Sequence, residues 1–289
     1  MKRSFLIIGF LAASVIAATF YFRSGGSAEE KRDLYLNKAR AYISQARVKE
    51  AVIEFRNALK VDPTSGESHH ELGLALLKLG ERERALQEFR RAAELKQEMM
   101  EPRYQLANLY LLGGDTRRAR EQLNEIQKFD PDSIEVRQIA AKLALAEKAP
   151  DKAVMELAEA LKKEPNKVNL YVDIASIYAG QKDFKRAEEF YRKALDIDPA
   201  LIAPRVALPR LYLAMGDQTK AEEELILATR VDPENESLLH IRANDYAGTR
   251  KFDEFEKLYL DLLKKKPDSL MGKKRLAEFY ILKGDLEKG

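Results

Sequence analysis

Cysteine and tryptophan are both absent from the 289 residues. Without cysteine there are no disulfides, no thiolate zinc sites, no cysteine nucleophile and no lipid-bearing cysteine of a lipoprotein. The compartment stays open on that ground alone. A one-sided charge is missing as well, since the formal balance is only +3. Lys2, Arg3, Arg23 and Lys31 against Glu29 and Glu30 place +2 of it in residues 1–31, leaving +1 for everything after them. Nucleic-acid binding needs a positive field over one face, so no nucleic-acid partner is expected. No phosphate-cradling G-x-x-x-x-G-K-S/T or G-x-G-x-x-G occurs, and no Ser stands in a nucleophile motif. What the chain does have is charge of both signs, 34% of residues, over an apolar share of 45%, enough to build a packed core.

The amino-terminal stretch is the one long uncharged run. After Lys2 and Arg3, residues 4–22 carry no charge, and Arg23 ends the run behind Tyr21 and Phe22. Nineteen helical residues span about 28 Å, close to the hydrocarbon thickness of a bilayer. A cleaved signal peptide has a shorter apolar region and a small-residue cleavage site. Here the best such site, Gly26-Ser27-Ala28, lies beyond Arg23. Residues 1–23 therefore read as a membrane anchor, with a signal segment as the alternative. "SGGS" opens a flexible linker over 24–31. The flanking Lys/Arg count does not decide orientation. A three-residue amino end with two cations and the α-amine is hard to carry across a bilayer, so the expectation is a single-pass protein of the bacterial inner membrane with the rest of the chain in the periplasm.

Beyond the linker the chain repeats itself. Pro63, Pro131, Pro165, Pro199, Pro233 and Pro267 are separated by 68, 34, 34, 34 and 34 residues, and the one missing stop falls at Gln97. This register gives repeats at 32–65, 66–99, 100–133, 134–167, 168–201, 202–235 and 236–269, and an eighth from Leu270. Small residues fall in fixed places. The eighth holds Ala39, Gly73, Ala107, Ala141, Ala175, Pro209, Ala243 and Ala277; the twentieth holds alanine from Ala51 to Ala221 and then Phe255. A later place holds Ala58, Ala92, Ala160, Ala194 and Ala228, with Ile126 and Leu262 as exceptions. Tyr42, Tyr110, Tyr178, Tyr212, Tyr246 and Tyr280 share one place, half of the 12 tyrosines. Apolar residues recur at three- and four-residue spacing on both sides of turns such as "LGE" (79–81) and "MGD" (215–217), so each repeat reads as two helices. Alanine at the contact places lets helices approach closely. The closing proline lacks an amide and disfavours helix before it, which ends the second helix.

The period, the Gly/Ala, Tyr, Ala and Pro places and the helix–turn–helix unit resemble the tetratricopeptide repeat family. The resemblance covers 32–289. Its Trp-like place is degenerate, held by Tyr35, His69, Arg103, Arg137, Tyr171, Arg205, Leu239 and Lys273. It implies an all-α fold, a right-handed α–α superhelix whose first helices form a concave groove for protein or peptide partners, with no catalysis. The inward places of those helices carry His70, Tyr104, Asn108, Lys142, Arg210, His240 and Asn244, which are the candidate groove residues. One subfamily uses this face as a carboxylate clamp; Tyr104 stands where its Lys would be, and Ile139 where the following Asn would be, so that clamp is not expected.

Two local departures and the chain end complete the reading. Pro209 falls inside "RVALPRLYLAMG", and with Phe255 in an alanine place it marks 202–269 as the least regular stretch, kinked at the proline. Three histidines, His69, His70 and His240, lack metal-ligand spacing, so no metal or cofactor is expected, and no small-molecule substrate. "KGDLEKG" would serve as a turn to a further helix, so a longer protein is expected. The function read from all this is a non-catalytic protein-interaction scaffold at the inner membrane. An accessory subunit of an envelope polysaccharide or cell-wall assembly or export complex is the alternative.

Overall fold

A computed structural model of the chain describes residues 27–232 and 235–283. Among these residues the regular elements are fifteen α-helices. They run as α1 (Ala28–Ser44), α2 (Val48–Val61), α3 (Gly66–Lys78), α4 (Arg82–Leu95), α5 (Met100–Leu112), α6 (Thr116–Gln127), α7 (Ile134–Ala146) and α8 (Pro150–Lys163). Then follow α9 (Val168–Gly180), α10 (Phe184–Ile197), α11 (Ile202–Met215), α12 (Gln218–Val231), α13 (Glu236–Gly248), α14 (Phe252–Lys265) and α15 (Leu270–Lys283). Odd-numbered helices are the first of each repeat and even-numbered ones the second. The chain divides into two compact units, one ending at Ala160 and the other beginning at Leu161. The proposed membrane segment, residues 1–23, lies outside the described residues. No described helix is long and apolar enough to cross a membrane.

The start of the array differs from the sequence expectation. Residues 24–31 were expected as linker, yet α1 begins at Ala28. The cause is a capping box in "SAEE": Ser27 Oγ accepts from the Glu30 amide at 3.1 Å, and the Ser27 amide donates to Glu30 Oε2 at 2.8 Å. Two otherwise orphaned amides are thereby satisfied, and the helix nucleates four residues before the repeat register.

The turn inside each repeat has one conformation. Ala46, Gly80, Gly114, Lys148, Lys182, Gly216 and Arg250 all have φ between 59 and 78° and lie 34 residues apart. The amide following each donates to the carbonyl five residues back, as from Arg47 to Tyr42 (2.9 Å), Glu81 to Leu76 (3.0 Å) and Asp217 to Tyr212 (2.9 Å). That is the closure of a left-handed helix C-terminus, in which orphan carbonyls of the last turn find donors. Glycine takes this φ freely, whereas each side-chain-bearing residue there costs ~1–2 kcal/mol. Four of the seven repeats carry that cost at Ala46, Lys148, Lys182 and Arg250, so the turn is imposed by helix pairing and not by glycine.

The ends of the second helices show the same independence from proline. Asp62, Asp198 and Lys266 take φ near −130° with ψ between 78 and 93°, and each precedes a proline. Lys96 precedes Gln97 and takes φ −129°, ψ 90°. Proline favours that conformation in the residue before it, but the boundary forms without it.

Packing follows the small-residue places. In the first unit α1 packs on α2, α3 on α4 and α5 on α6, and each second helix touches the first helix that follows; α5 also touches α7. One apolar core runs through it from Leu36 to Leu143. In the second unit the same pattern joins α9 to α15, with α9 touching α11 and α11 touching α13. The alanines of the twentieth place are all buried, as are Ala58, Ala92, Ala160, Ala194 and Ala228. The tyrosine place explains itself through charge. A cation from the following helix or turn lies over the ring: Arg47 over Tyr42 at 4.5 Å from its centroid, Arg118 over Tyr110 at 5.7 Å, Arg186 over Tyr178 at 4.3 Å and Lys220 over Tyr212 at 5.4 Å. Each such contact stabilises by about 0.5–1 kcal/mol at an exposed site.

The stretch 202–269 still forms helices at its two departures. Its four helices keep the repeat register, and α11 runs unbroken through Pro209. Burial of Leu208, Pro209, Leu211 and Tyr212 holds the helix against the lost backbone bond. Phe255, in its alanine place, is also buried, stacked on Phe279 with ring centroids 4.8 Å apart.

Two glycine substitutions separate backbone strain from crowding. A Cβ on Gly216 would meet nothing within 4 Å, so Gly216→Ala should cost only the left-handed strain, ~1 kcal/mol. A Cβ on Gly73 would sit 2.6 Å from a Phe89 ring carbon, so Gly73→Ala should cost ~1–3 kcal/mol by overpacking. Adding Phe89→Leu, which reproduces the Ala107/Leu123 pair of the third repeat, should recover much of the Gly73→Ala loss and none of the Gly216→Ala loss. Urea unfolding midpoints of the single and double variants read both effects.

Candidate functional site: the wall of first helices

The fifth and ninth places of a first helix lie one turn apart on one face. Within each unit neighbouring first helices touch at α5 and α7, α9 and α11, and α11 and α13, so these places adjoin there. In the first unit three of the predicted residues form one hydrogen-bonded series. Asn108 Nδ2 donates to the Tyr104 carbonyl at 2.9 Å, and Lys142 Nζ donates to Asn108 Oδ1 at 2.9 Å, joining α5 to α7. The Tyr104 hydroxyl lies 3.4 Å from Ser133 Oγ. Ile139, in the place a carboxylate clamp would give to Asn, is buried.

His70 is placed differently from an open groove residue. It is half-buried, its ring 5.7 Å from that of Phe89, and its Nε2 is buried without a partner. Burial holds this imidazole below the ordinary value of 6.5, against the opposing pull of Glu101, Glu71 and Glu67. Its neighbour His69 points elsewhere, Nδ1 lying 2.6 Å from Glu88 and Nε2 3.1 Å from the Pro63 carbonyl oxygen. Among the described residues no group of three or more His, Cys, Asp or Glu converges to hold a metal ion.

Sequence reasoning missed the cation at the ninth place of the first repeat. Arg40 Nε donates to Glu71 Oε1 at 2.8 Å, and Nη2 reaches Glu67 at 2.5 Å, tying α1 to α3. Arg40 shares its place with Asn108, Lys142, Arg210 and Asn244, so the repeat column itself was the available signal.

The second unit gathers the other three predicted residues. Asn244 Nδ2 lies 3.2 Å from His240 Nε2. Arg275, on α15, was not among the sequence candidates; its Nη2 lies 3.2 Å from His240 Nδ1 and 3.3 Å from Nε2. Burial first, then the charges of Arg275 and Arg210, holds His240 below 6.5. The ring lies between the Asn244 amide and the Arg275 guanidinium. Arg210 is exposed and reaches this cluster through its field. Beside Asn244 and Arg275 opens a cavity of about 330 Å³, lined also by Phe252, Phe255, Phe279 and Glu278. The Phe252 and Phe279 ring centroids are 6.0 Å apart. Phe255, the misfit of the alanine place, thus contributes to the aromatic lining. An apolar recess with a few convergent polar groups suits one side chain of a bound chain.

Arrays of helical hairpins with a 34-residue period and a wall of adjoining first helices define a class of repeat solenoids. Two tetratricopeptide repeat family models match the chain, one over residues 76–143 and 178–244 and the other over 36–99 and 140–202. Together they span 36–244 without a gap, and the chain belongs to the tetratricopeptide repeat family. Among solved structures it is similar to a tetratricopeptide repeat protein from Parabacteroides merdae, at 18% identity over 83% of this chain and 93% of that one, with a TM-score of 0.67. PilW, a type IV pilus biogenesis factor, is 14% identical over 73% of this chain and 97% of its own, with a TM-score of 0.65. PilF of Pseudomonas aeruginosa is 18% identical over 75% and 99%, with a TM-score of 0.59. At these identities the likeness is one of fold. A sequence comparison with curated proteins finds no significant match.

The two histidines give this wall a pH dependence. An unfolded histidine protonates near pH 6.5, while His70 and His240 resist protonation when folded. The unfolded state then binds more protons, so stability falls as pH drops from about 6.5 through the depressed folded values. Urea midpoints measured between about pH 7.5 and 5.5 should decline, and His70→Gln and His240→Gln should each flatten the decline. Slopes unchanged in both variants would show that neither ring is kept neutral by the fold.

Proposed function

We propose that this chain is a non-catalytic scaffold, a membrane-tethered solenoid that binds segments of partner proteins along its first helices. Tetratricopeptide repeat proteins generally mediate protein–protein interactions, and a stack of hairpins exposes a long surface for that purpose. The observation that carries the reading is the cavity beside Asn244 and Arg275. It combines an aromatic lining with polar groups on the wall where the repeat pattern alone places partner contacts. An apolar side chain of the bound segment enters the recess, while Asn244 and Arg275 meet its main-chain carbonyls. The uncharged run 4–22 is read as the tether in the bacterial inner membrane, and Lys2 and Arg3 as the reason the array lies in the periplasm.

Site-specific photocrosslinking in native membranes tests this. A photoreactive residue in place of Asn244 or Arg210 should yield the same protein adduct, and one in place of Glu222, exposed on the second helix α12, should not. Phe279→Ala in the Asn244 background should reduce that adduct. Equal labelling from all three positions would remove the wall from the function. An alkaline-phosphatase fusion at the carboxyl end should be active, and an inactive fusion would reverse the membrane orientation.

A further inference from the structure

The fourth place of each repeat, where the family pattern has its Trp-like residue, has a use of its own in this chain. His69, Tyr171 and Arg205 each bond the main-chain carbonyl of the boundary proline six residues earlier. His69 Nε2 lies 3.1 Å from the Pro63 oxygen, the Tyr171 hydroxyl donates to Pro165 at 2.9 Å, and Arg205 Nε donates to Pro199 at 2.8 Å. Arg137 is satisfied in another way, by Asp132 at 2.7 Å and Glu156 at 2.8 Å. Arg103 holds the same place at the one boundary without proline, and the residue six before it is Gln97. Its guanidinium makes only long bonds, Nη1 to Gln122 Oε1 at 3.4 Å and Nη2 to the Ala93 carbonyl at 3.5 Å. Its Nε is buried with no acceptor. A guanidinium donor left unmade inside a protein is costly and rare.

Beside Arg103 is a cavity of about 370 Å³ that none of the candidate groove residues lines. Arg90 from α4, Arg118 and Gln122 from α6, Tyr110 from α5 and Gln97 border it with Arg103. Arg90 has no carboxylate partner among the described residues. Arg118 lies over the Tyr110 ring, with its Nε 3.4 Å from Asp115 Oδ2. Two glutamates also border the cavity, Glu94 and Glu121. Each is drawn along its own helix to a cation outside it, Glu94 to Arg91 at 3.4 Å and Glu121 to Arg117 at 2.5 Å.

We infer that this cavity is a binding site for a compact oxyanion, a phosphate or carboxylate group, held by the half-buried Arg103 behind the exposed Arg90 and Arg118. Planar guanidinium forks match such oxygens in geometry as well as charge. The anion supplies the acceptor that Arg103 Nε lacks, and the two glutamine amides offer further donors. Lysines at these places would give point charges without the fork. Arg103, Leu106 and Tyr110 come from the first helix α5, but none stands at its fifth or ninth place, so the site shares no residue with the proposed peptide-binding places and does not require them.

Isothermal titration of the full chain in a non-ionic detergent tests the site, with inorganic phosphate in one arm and citrate in the other, at ionic strength held constant with chloride. Saturable binding of one equivalent is expected in at least one arm. Phosphate alone assigns a phosphate ligand, citrate alone a carboxylate, and both a general oxyanion pocket. Arg103→Gln and Arg90→Gln should each weaken binding by about tenfold or more, the scale of one charge-assisted hydrogen bond. Arg103→Lys keeps the charge and the fold but should still weaken it, while Lys193→Gln on α10 should have no effect. No saturable binding in either arm by about 10 mM, or equal affinity in the Arg90 and Arg103 variants, would overturn the assignment.

Discussion

Close approach of helices, permitted by the lack of side-chain bulk at three places of each repeat, is the constraint on which the rest depends. Interaxial distance follows the side chains at the contact, and alanine at the eighth, twentieth and twenty-seventh places keeps it short. The exceptions show the rule. Gly73 stands where alanine usually does because the Phe89 ring already occupies the space a methyl would take. Phe255 brings a ring into an alanine place and is accommodated by stacking on Phe279, and the recess beside them is the aromatic cavity of the second unit. One oversized side chain therefore accounts for both the local departure and part of the lining of the aromatic recess.

Once helices are held at that distance, the connections have little freedom. The turn inside the repeat must be left-handed at one residue, and it is so whether that residue is Gly216 or Arg250. The second helix must end where the next first helix begins, and it does so at Lys96 without a following proline. Tertiary pairing overrides local preference at both points, and the strain of four side-chain-bearing left-handed residues is offset by the burial it allows. Around this frame the chain uses charge rather than aromatic bulk. Cations roof four of the tyrosines, and at the fourth place His69, Tyr171 and Arg205 bond the carbonyls of Pro63, Pro165 and Pro199. With no tryptophan available, the fourth place became a hydrogen-bonding position, and at the boundary without proline it left a guanidinium unsatisfied.

The wall of first helices divides into two kinds of surface. In the first unit its polar side chains largely hold one another, Lys142 to Asn108 and Arg40 to Glu67 and Glu71. These contacts join neighbouring repeats, so a partner there competes with bonds already made. In the second unit Asn244, His240 and Arg275 likewise hold one another, but Arg210 is exposed and the aromatic recess beside them is open. A bound segment has more to gain there, which is why the second unit carries the functional reading.

The repeat, its register, the helical hairpins, the small-residue contacts and the tyrosine place were all legible in the sequence, because a period repeated seven times makes each structural requirement visible as a column. The candidate wall residues were chosen by the same columns; Lys142 bonds Asn108, and Asn244 bonds His240. Not legible were the start of α1 at Ala28, set by a local capping box outside the repeat; the entry of Arg275 into the His240 cluster; the withdrawal of His70 against Phe89; and the two cavities. Each of these depends on which particular side chains meet, whether along one helix, within a repeat or between repeats, and a column records only which residue stands at a place. The sequence by itself determined the fold, since periodic apolar and small residues leave one way to pack. Only the tertiary structure decided which polar side chains are spent on one another and which remain open to a ligand, because that turns on distances between helices rather than on residue type.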